Sequence, residues 1–244
     1  MVATGKKSGV GLSEIDERRF GIKSARVDNL SLADIDPVEV FCQSNEVKFL
    51  AARCSTDAVQ VAQALETRGY RLMDTLVYFK RNLAVNTLPP LNHDLTVIRE
   101  ARTDEALQVK AIAARAFRDY SAGHYHSDAR LDPSKCDETY ADWAYNSCAS
   151  KCVADHVLVA EIQSDLAGFI AFSKHGEITL NAVDPSFQRK GVYTKLMCHA
   201  LHILQPETTK AIISTQINNI AVQKVWVRLG FEPDYSFYTF HKWF

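Results

Sequence analysis

The sequence lacks the features that mark membrane, secreted and nucleic-acid-binding proteins. No apolar run approaches the roughly 18 residues of a membrane-spanning helix, and the N-terminus has no apolar signal-peptide core. Lys and Arg number 28 against 29 Asp and Glu, so the net charge is −1 and no basic stretch predicts binding to nucleic acid. These absences predict a soluble, cytoplasmic protein whose partners are neither nucleic acid nor membrane.

Cysteine is present but shows no metal-binding or redox spacing. The 6 cysteines include no CxxC pair. Cys148 and Cys152 lie one helical turn apart, but no histidine or second cysteine pair completes a zinc pattern. We therefore expect reduced, mostly buried thiols and no structural metal, as in a cytoplasmic protein.

Proline is concentrated in one candidate linker. The 244 residues can hold one large domain or two small ones. Between Asn86 and Asn92 (NTLPPLN) two prolines exclude helix and central strand alike. The sequence thus predicts a smaller N-terminal α/β unit, residues 1–90, and a second unit, residues 91–244. Residues 1–14 lack any periodicity and are expected to be frayed.

Both units alternate strand and helix patterns. In the first unit, strands are predicted over 20–27, 47–52 and 71–83, with a helix from Ser55 to Gly69. From Thr96 onward the order is β-α-α-β-β-β-α-β-α-β, which predicts an α/β protein with a mixed sheet and helices on its faces. No sequence repeat relates the two units, and the first unit shows no catalytic constellation.

The most informative stretch runs from the strand Ile178–Val183 to Thr194. A turn at Asp184 follows the strand, then two basic residues, then Gly191 and an amphipathic helix. A strand that passes through a glycine turn into a helix presents free backbone N–H groups and the positive end of the helix dipole. Both favour an anion, so this stretch predicts a phosphate-binding site.

Two motifs resemble those of the GNAT acetyltransferase superfamily. Gln188-Arg189-Lys190-Gly191-Val192-Tyr193 resembles the pyrophosphate motif Q/R-x-x-G-x-G/A, although Tyr193 replaces the small last residue. NIAVQKVWVRLGF, residues 219–231, resembles N-x-x-A-x-x-x-Y-x-x-x-G-F. The resemblance implies a GNAT acyltransferase fold for the second unit and acetyl-CoA as cosubstrate.

The same resemblance implies which residues hold the donor. Backbone N–H groups near Ala182 and Val183 would hold the pantetheine arm and polarise the thioester oxygen. Asn219 would hydrogen-bond the pantetheine or the departing sulfur. The pyrophosphate would be cradled by the glycine turn and the first helical turn, namely Gln188, Arg189, Lys190, Gly191, Val192, Tyr193 and Thr194.

A narrower resemblance concerns the acceptor. Three segments resemble the TDP-fucosamine acetyltransferase group: residues 123–128, the Asp142-Trp143 pair and residues 215–219. This implies a nucleotide-linked 4-amino-4,6-dideoxyhexose as acceptor, contacted by His124, Tyr125, His126 and Trp143. The alternatives are a surface loop whose histidines cap helices, a metal site built on its two histidines, and a core role for Trp143.

Amide formation from a thioester also needs a base and an acid. Glu177 occupies the strand position where some GNAT enzymes keep a carboxylate base; the alternative is an exposed strand-edge residue. The usual acid, the tyrosine of the second motif, aligns with Trp226, whose indole N–H cannot usefully protonate a thiolate. Tyr193, Tyr235 and Tyr238 are substitute candidates, each with a packing role as the alternative.

The leading hypothesis is an acetyl-CoA-dependent N-acetyltransferase acting on a nucleotide-activated amino sugar. A second hypothesis keeps the donor and changes the acceptor to another small amine, an antibiotic or a protein N-terminus. A third is a non-catalytic acyl-CoA-binding module, suggested by Trp226. The aromatic residues of the C-terminal strand, Tyr235–Trp243, predict either interior packing or a homodimer surface.

Overall fold

The computed structural model describes residues 9–85, 87–91, 95–118, 120, 122–150 and 152–244. Most of the frayed terminus expected at 1–14 lies outside these ranges, as do Asn86 and Asn92 at the ends of the candidate linker. Within the described ranges the chain forms a mixed α/β structure, which confirms the predicted fold class.

The N-terminal half contains one helix that the sequence patterns missed. Ser13 caps it by accepting a hydrogen bond from the backbone N–H of Asp16, and acidic residues fill its first turn. The strand predicted over 20–27 is therefore wrong at its start, because Phe20 ends this helix. The elements are β1 (Gly11–Leu12), α1 (Glu14–Phe20), β2 (Ser24–Val27), α2 (Ile35–Ser44), β3 (Phe49–Ser55), α3 (Val59–Thr67) and β4 (Arg71–Asn82).

The C-terminal half follows the predicted order. The hairpin turn between the second and third strands of this half consists of Gln163 and Ser164, both with positive φ. The elements are β5 (Thr96–Glu100), α4 (Ala106–Ala116), α5 (Pro133–Ala149), β6 (His156–Ile162), β7 (Asp165–Phe172), β8 (Glu177–Val183), α6 (Val192–Leu204), β9 (Lys210–Gln216), α7 (Ile220–Arg228) and β10 (Glu232–Trp243).

All ten strands of the described residues form one sheet, in the order β1-β2-β3-β10-β4-β9-β8-β7-β6-β5. The two halves share the order strand, helix, strand, helix, strand: β2-α2-β3-α3-β4 in one and β8-α6-β9-α7-β10 in the other. Their last strands are exchanged, since β4 pairs with β9 and β10 pairs with β3. The sheet is thus continuous across residue 90, and the division into units 1–90 and 91–244 stays a prediction.

Helices cover both faces of the C-terminal half of the sheet. Side chains of β6 alternate, with Leu158 facing α6 and α7 and Val159 facing α4 and α5. In the N-terminal half α2 and α3 cover one face. On the other face, Tyr125 and Leu131 pack against Phe49; both belong to the connection between α4 and α5, called here the segment before α5. That segment therefore joins the two halves. The aromatic strand β10 is a central strand, and the homodimer stays a prediction.

Candidate active site

A cavity opens where two parallel strands separate. β8 and β9 pair only at Glu177 with Ile212 and Ile178 with Ile213. Beyond these pairs the facing edges of the strands, 179–183 and 214–216, line a cavity of about 1470 Å³. Each strand keeps its outer partner, β7 or β4, so the inner edges retain backbone N–H and C=O groups for a bound molecule.

The glycine turn at the end of β8, where the sequence predicts an anion cradle, exposes backbone N–H groups. Asp184 begins the turn by accepting a hydrogen bond from the backbone N–H of Ser186 at 3.0 Å. Arg189 (φ +61°) and Gly191 (φ +78°) are left-handed, and Gly191 is the N-cap of α6. Alternating left-handed residues turn successive N–H groups toward one point, and the first N–H groups of a helix have no partner within it. The predicted turn and helix N-terminus are therefore present, and their role in binding an anion stays a prediction.

Asp184 remains ionised in this turn although it is buried. Burial acts to raise the pKa of the carboxyl, but hydrogen bonds from Ser186 and the Arg115 guanidinium outweigh burial and hold that pKa below its usual value. Arg115 lies on α4, so this ion pair ties α4 to the cradle. The pair fixes the backbone from which the cradle N–H groups project.

The residues predicted to bind acetyl-CoA lie around one cavity, with one exception. All of them line the cavity except Lys190, whose Nζ donates to the carbonyl oxygen of Ser186 at 3.1 Å and lies 5.2 Å from the centre of the Phe187 ring. Asn219 lies at the N-terminus of α7 and donates from Nδ2 to Oγ1 of Thr215 at 3.0 Å. The cradle, the open edge of β8 and Asn219 thus share one cavity.

Trp226 and Tyr193 form a hydrogen-bonded pair in the cavity wall. The indole Nε1 donates to the hydroxyl oxygen of Tyr193 at 2.7 Å, and Trp226 is only 1% exposed. Burial raises the pKa of Tyr193, so its phenol keeps its proton at neutral pH. The tryptophan cannot itself serve as an acid, but it orients a phenol that can.

The other three candidate catalytic residues, Glu177, Tyr235 and Tyr238, lie elsewhere. Glu177 is exposed at the first position of β8, where β8 still pairs with β9, and it does not line the cavity. Tyr238 packs against the hydrophobic cluster of the N-terminal half. Tyr235 stacks on Tyr78 with ring centres 4.5 Å apart, and burial raises the pKa of Tyr235 to about 12. The structure does not bring these three side chains to the cavity.

Of the four residues predicted to contact the acetyl acceptor, three line the cavity and one does not. His124, Tyr125 and Trp143 line the same cavity as the donor residues. The Tyr125 hydroxyl donates to Oδ1 of Asp16 at 2.6 Å, so this tyrosine also connects the segment to α1. His126 does not line the cavity, because its Nε2 is engaged with Oδ1 of Asp137 at 2.8 Å.

Four arginines of the N-terminal half were missed. Arg18, Arg19, Arg26 and Arg53 all line the cavity. They come from α1, β2 and β3, and only Arg18 and Arg19 are adjacent in sequence. No local cluster of basic residues therefore predicts their common site. Arg19 pairs with Asp142 at 3.3 Å, and Arg26 donates to Asp16 at 2.7 Å. The first ion pair joins the two halves, and the second lies within the N-terminal half. Only the folded sheet brings these arginines to the cavity.

Neither a metal cluster nor a membrane span appears in the described ranges. Among those residues, no group of three or more His, Cys, Asp or Glu side chains could hold a metal ion. In the same ranges, every helix is too short or too polar to cross a bilayer.

Comparison with known proteins agrees with this geometry. The Acetyltransferase (GNAT) family matches residues 111–231. The spore coat polysaccharide biosynthesis protein SpsD of Bacillus subtilis (strain 168) is 24% identical over 208 residues, 82% of this chain and 68% of SpsD. A GCN5-related N-acetyltransferase from Sphaerobacter thermophilus superposes with a TM-score of 0.65 at 10% identity, over 96% of this chain and 76% of that one.

The repeated element order has a counterpart among solved folds. A tandem GNAT protein from the clavulanic acid biosynthesis pathway superposes with a TM-score of 0.60 at 14% identity, over 91% of this chain and 76% of that one. At such identity the likeness concerns the fold alone. Together with the family match, it confirms the resemblance inferred from the two motifs. Residues 111–231 are therefore a GNAT-family acetyltransferase domain, and the chain is an acetyltransferase of that class.

Proposed function

We propose that the protein transfers an acetyl group from acetyl-CoA to the amino group of a nucleotide-activated amino-deoxy sugar, of the dTDP-4-amino-4,6-dideoxyhexose type. One observation carries the proposal. A single cavity joins the anion cradle and the open edge of β8 to a compartment lined by arginine and aromatic side chains of the N-terminal half. The first region suits an acyl-CoA, and the second suits an acceptor that carries both phosphate and a ring.

The donor side fits acetyl-CoA, which GNAT acetyltransferases use. The cradle N–H groups and Arg189 would hold the pyrophosphate. The unpaired edge of β8 at Ala182 and Val183 would accept the pantetheine arm and donate a hydrogen bond to the thioester oxygen. Positioning the thioester beside the amine supplies a large part of the rate in such a reaction.

The acceptor side fits a phosphorylated amino sugar. Arg19 and Arg26 are held by Asp142 and Asp16, whereas Arg18 makes no ion pair within the described ranges. Arg53 makes two long contacts, to an exposed Asp28 at 3.5 Å and to Oγ1 of Thr239 at 3.4 Å. These last two guanidinium groups can therefore bind a diphosphate. The name of SpsD links that relative to polysaccharide biosynthesis, which supports a sugar acceptor.

The proposal is tested by following thiol release from acetyl-CoA with a panel of acceptors. The panel contains dTDP-4-amino-4,6-dideoxyhexoses, the same amino sugars without the nucleotide, an aminoglycoside and a peptide with a free N-terminus. We expect turnover to be fastest with a nucleotide-linked sugar. Turnover only with the aminoglycoside or peptide would replace the acceptor, and acetyl-CoA binding without turnover of any amine would overturn the proposal.

Arg18→Ala is expected to raise KM for the nucleotide sugar roughly 10-fold, because a charge-assisted hydrogen bond to phosphate contributes about 1.5 kcal/mol or more. The kcat value and the affinity for acetyl-CoA should be retained. Steady-state kinetics with and without the nucleotide separate the effect, since the nucleotide-free sugar should lose little. Arg228→Ala is the matched control, an exposed arginine that also lies in the last turn of its helix but outside the cavity.

Gly191→Ala is expected to weaken acetyl-CoA binding. The position has φ +78°, a conformation that costs a residue with a Cβ about 1–2 kcal/mol, although no atom lies within 4 Å of the added methyl group. Gly69→Ala provides a matched control, with φ +81° and equally open surroundings at the end of α3. Both variants should lose similar thermal stability, while calorimetry should show weaker binding only for Gly191→Ala. Equal affinities would mean that the cradle does not hold the donor.

A further inference from the structure

Three polar side chains form a buried chain that ends in the cavity. His124 Nδ1 lies 2.8 Å from Nε2 of His241, and Nδ1 of His241 lies 2.9 Å from Oδ2 of Asp128. Trp243 donates from Nε1 to the same carboxylate oxygen at 2.8 Å. His241 is 1% exposed and Asp128 is 6% exposed, whereas His124 lines the cavity.

The hydrogen bonds determine where the protons lie. Burial acts to raise the pKa of Asp128, but the hydrogen bonds from His241 and Trp243 lower it to about 2, so the carboxylate is ionised and can only accept. His241 must therefore carry a proton on Nδ1, and in the neutral ring its Nε2 is an acceptor. His124 then donates from its own Nδ1, which leaves a lone pair on Nε2.

The surroundings keep this imidazole neutral. Burial lowers the pKa of His124 well below its ordinary value, and the nearby charges of Arg53 and Arg26 lower it further. The Tyr125 ring lies against the imidazole, with ring centres 3.9 Å apart. His124 is thus a neutral ring with a free Nε2, and two successive hydrogen bonds connect its Nδ1 through His241 to an ionised carboxylate. This is the arrangement of a general base.

We propose that His124 is the catalytic base that takes a proton from the acceptor's ammonium group, with His241 and Asp128 as positioning residues. This inference rests on the proposed function in needing an amine acceptor. His124 Nε2 takes one proton from R–NH3⁺, and the nitrogen lone pair attacks the thioester carbonyl. The C–N bond forms, the C–S bond breaks, and the thiolate takes a proton from the Tyr193 phenol to leave as thiol. The second nitrogen proton restores that phenol, and the imidazolium returns its proton to solvent.

The chain of contacts also has a purely structural reading, in which it only ties β10 to the segment before α5. The two readings differ in their dependence on pH. With a base, kcat/KM for an amine is flat between the pKa of His124 and that of the amine. Without one, the enzyme must capture free amine from solution, so kcat/KM rises tenfold per pH unit until the amine pKa is reached.

His124→Asn removes the base while its amide NH2 can still donate to His241. We expect kcat/KM at neutral pH to fall about 100-fold and the profile to gain the tenfold rise per pH unit, with acetyl-CoA affinity unchanged. His126→Gln is the matched control, because its amide can replace the Nε2 contact with Asp137 and it lies outside the cavity. That control should keep the flat profile, and a flat profile for folded His124→Asn would overturn the proposal.

A second measurement needs neither a variant nor turnover. Histidine ¹⁵N spectra of the unaltered protein should show both His124 and His241 protonated on Nδ1 at neutral pH. An Nε2-protonated His124 would overturn the proposal, whatever the variant does. The two proposals also fail separately: absence of turnover with every amine of the panel contradicts the proposed function, whereas the wrong tautomer contradicts only the base.

Discussion

Tyr193→Phe is expected to lower kcat roughly 100-fold or more and to leave acetyl-CoA affinity nearly unchanged. The reaction expels a thiolate, and a positioned acid that protonates it contributes at least about 10²-fold. Tyr193 meets the requirements because its hydroxyl accepts from Trp226 at 2.7 Å and so keeps its own proton for another partner. Burial raises its pKa, so we expect no loss of rate from its ionisation at neutral or mildly alkaline pH.

Two further variants make this test specific. Trp226→Phe keeps a ring in the core but removes the N–H that orients the phenol and lowers its pKa, so an intermediate loss of kcat is expected. Tyr70→Phe removes the hydroxyl of a buried tyrosine outside the cavity and should retain kcat. Single-turnover kinetics check that the chemical step is affected. A Tyr193→Phe enzyme with wild-type kcat would assign the tyrosine to packing alone.

Arg189→Glu is expected to weaken acetyl-CoA binding roughly 100-fold, because it removes a charge-assisted contact worth about 1.5–3 kcal/mol and adds repulsion. Arg189 lies in the cradle with φ +61° and lines the cavity. Calorimetry at two salt concentrations is the measurement, since the electrostatic part should shrink as salt rises.

Arg189→Gly separates the charge from the backbone. Glycine adopts φ +61° without strain, so this variant keeps the cradle and loses only the guanidinium. We expect its affinity to lie between those of the unaltered protein and Arg189→Glu. Lys190→Glu should lose less than Arg189→Glu, because the Lys190 ammonium is directed at the Ser186 carbonyl and lies outside the cavity. Equal losses of acetyl-CoA affinity in Arg189→Glu and Lys190→Glu would indicate that only the net positive charge of the turn matters, and would contradict a direct contact by Arg189.

Local chemistry made the turn between β8 and α6 predictable from sequence. A strand, a turn begun by Asp184 and a left-handed Gly191 before an amphipathic helix are short-range features, each decided by neighbouring residues. The same locality explains why most elements of the C-terminal half were predicted correctly. It also explains one error: the α1 helix has only 7 residues, too few for its period to be recognised without its Ser13 cap.

The rest of the site depended on which strands pair. His124 and His241 are 117 positions apart, and Trp226 is 33 positions from Tyr193. The exchange of β4 and β10 between the two halves puts His241 beside the segment before α5, and the shared sheet brings the arginines of α1, β2 and β3 to the cavity.

The sequence by itself therefore determined the glycine turn before α6, the mixed α/β class and the family, because a strand, a turn and a helix N-terminus need only nearby residues. The tertiary structure alone decided which arginine and aromatic side chains of the N-terminal half line the cavity, the pairing of Trp226 with Tyr193 and the exclusion of Glu177 from the cavity. The physical reason is that strand pairing is selected by burial and hydrogen bonding summed over the whole sheet, and no short stretch of sequence contains that sum.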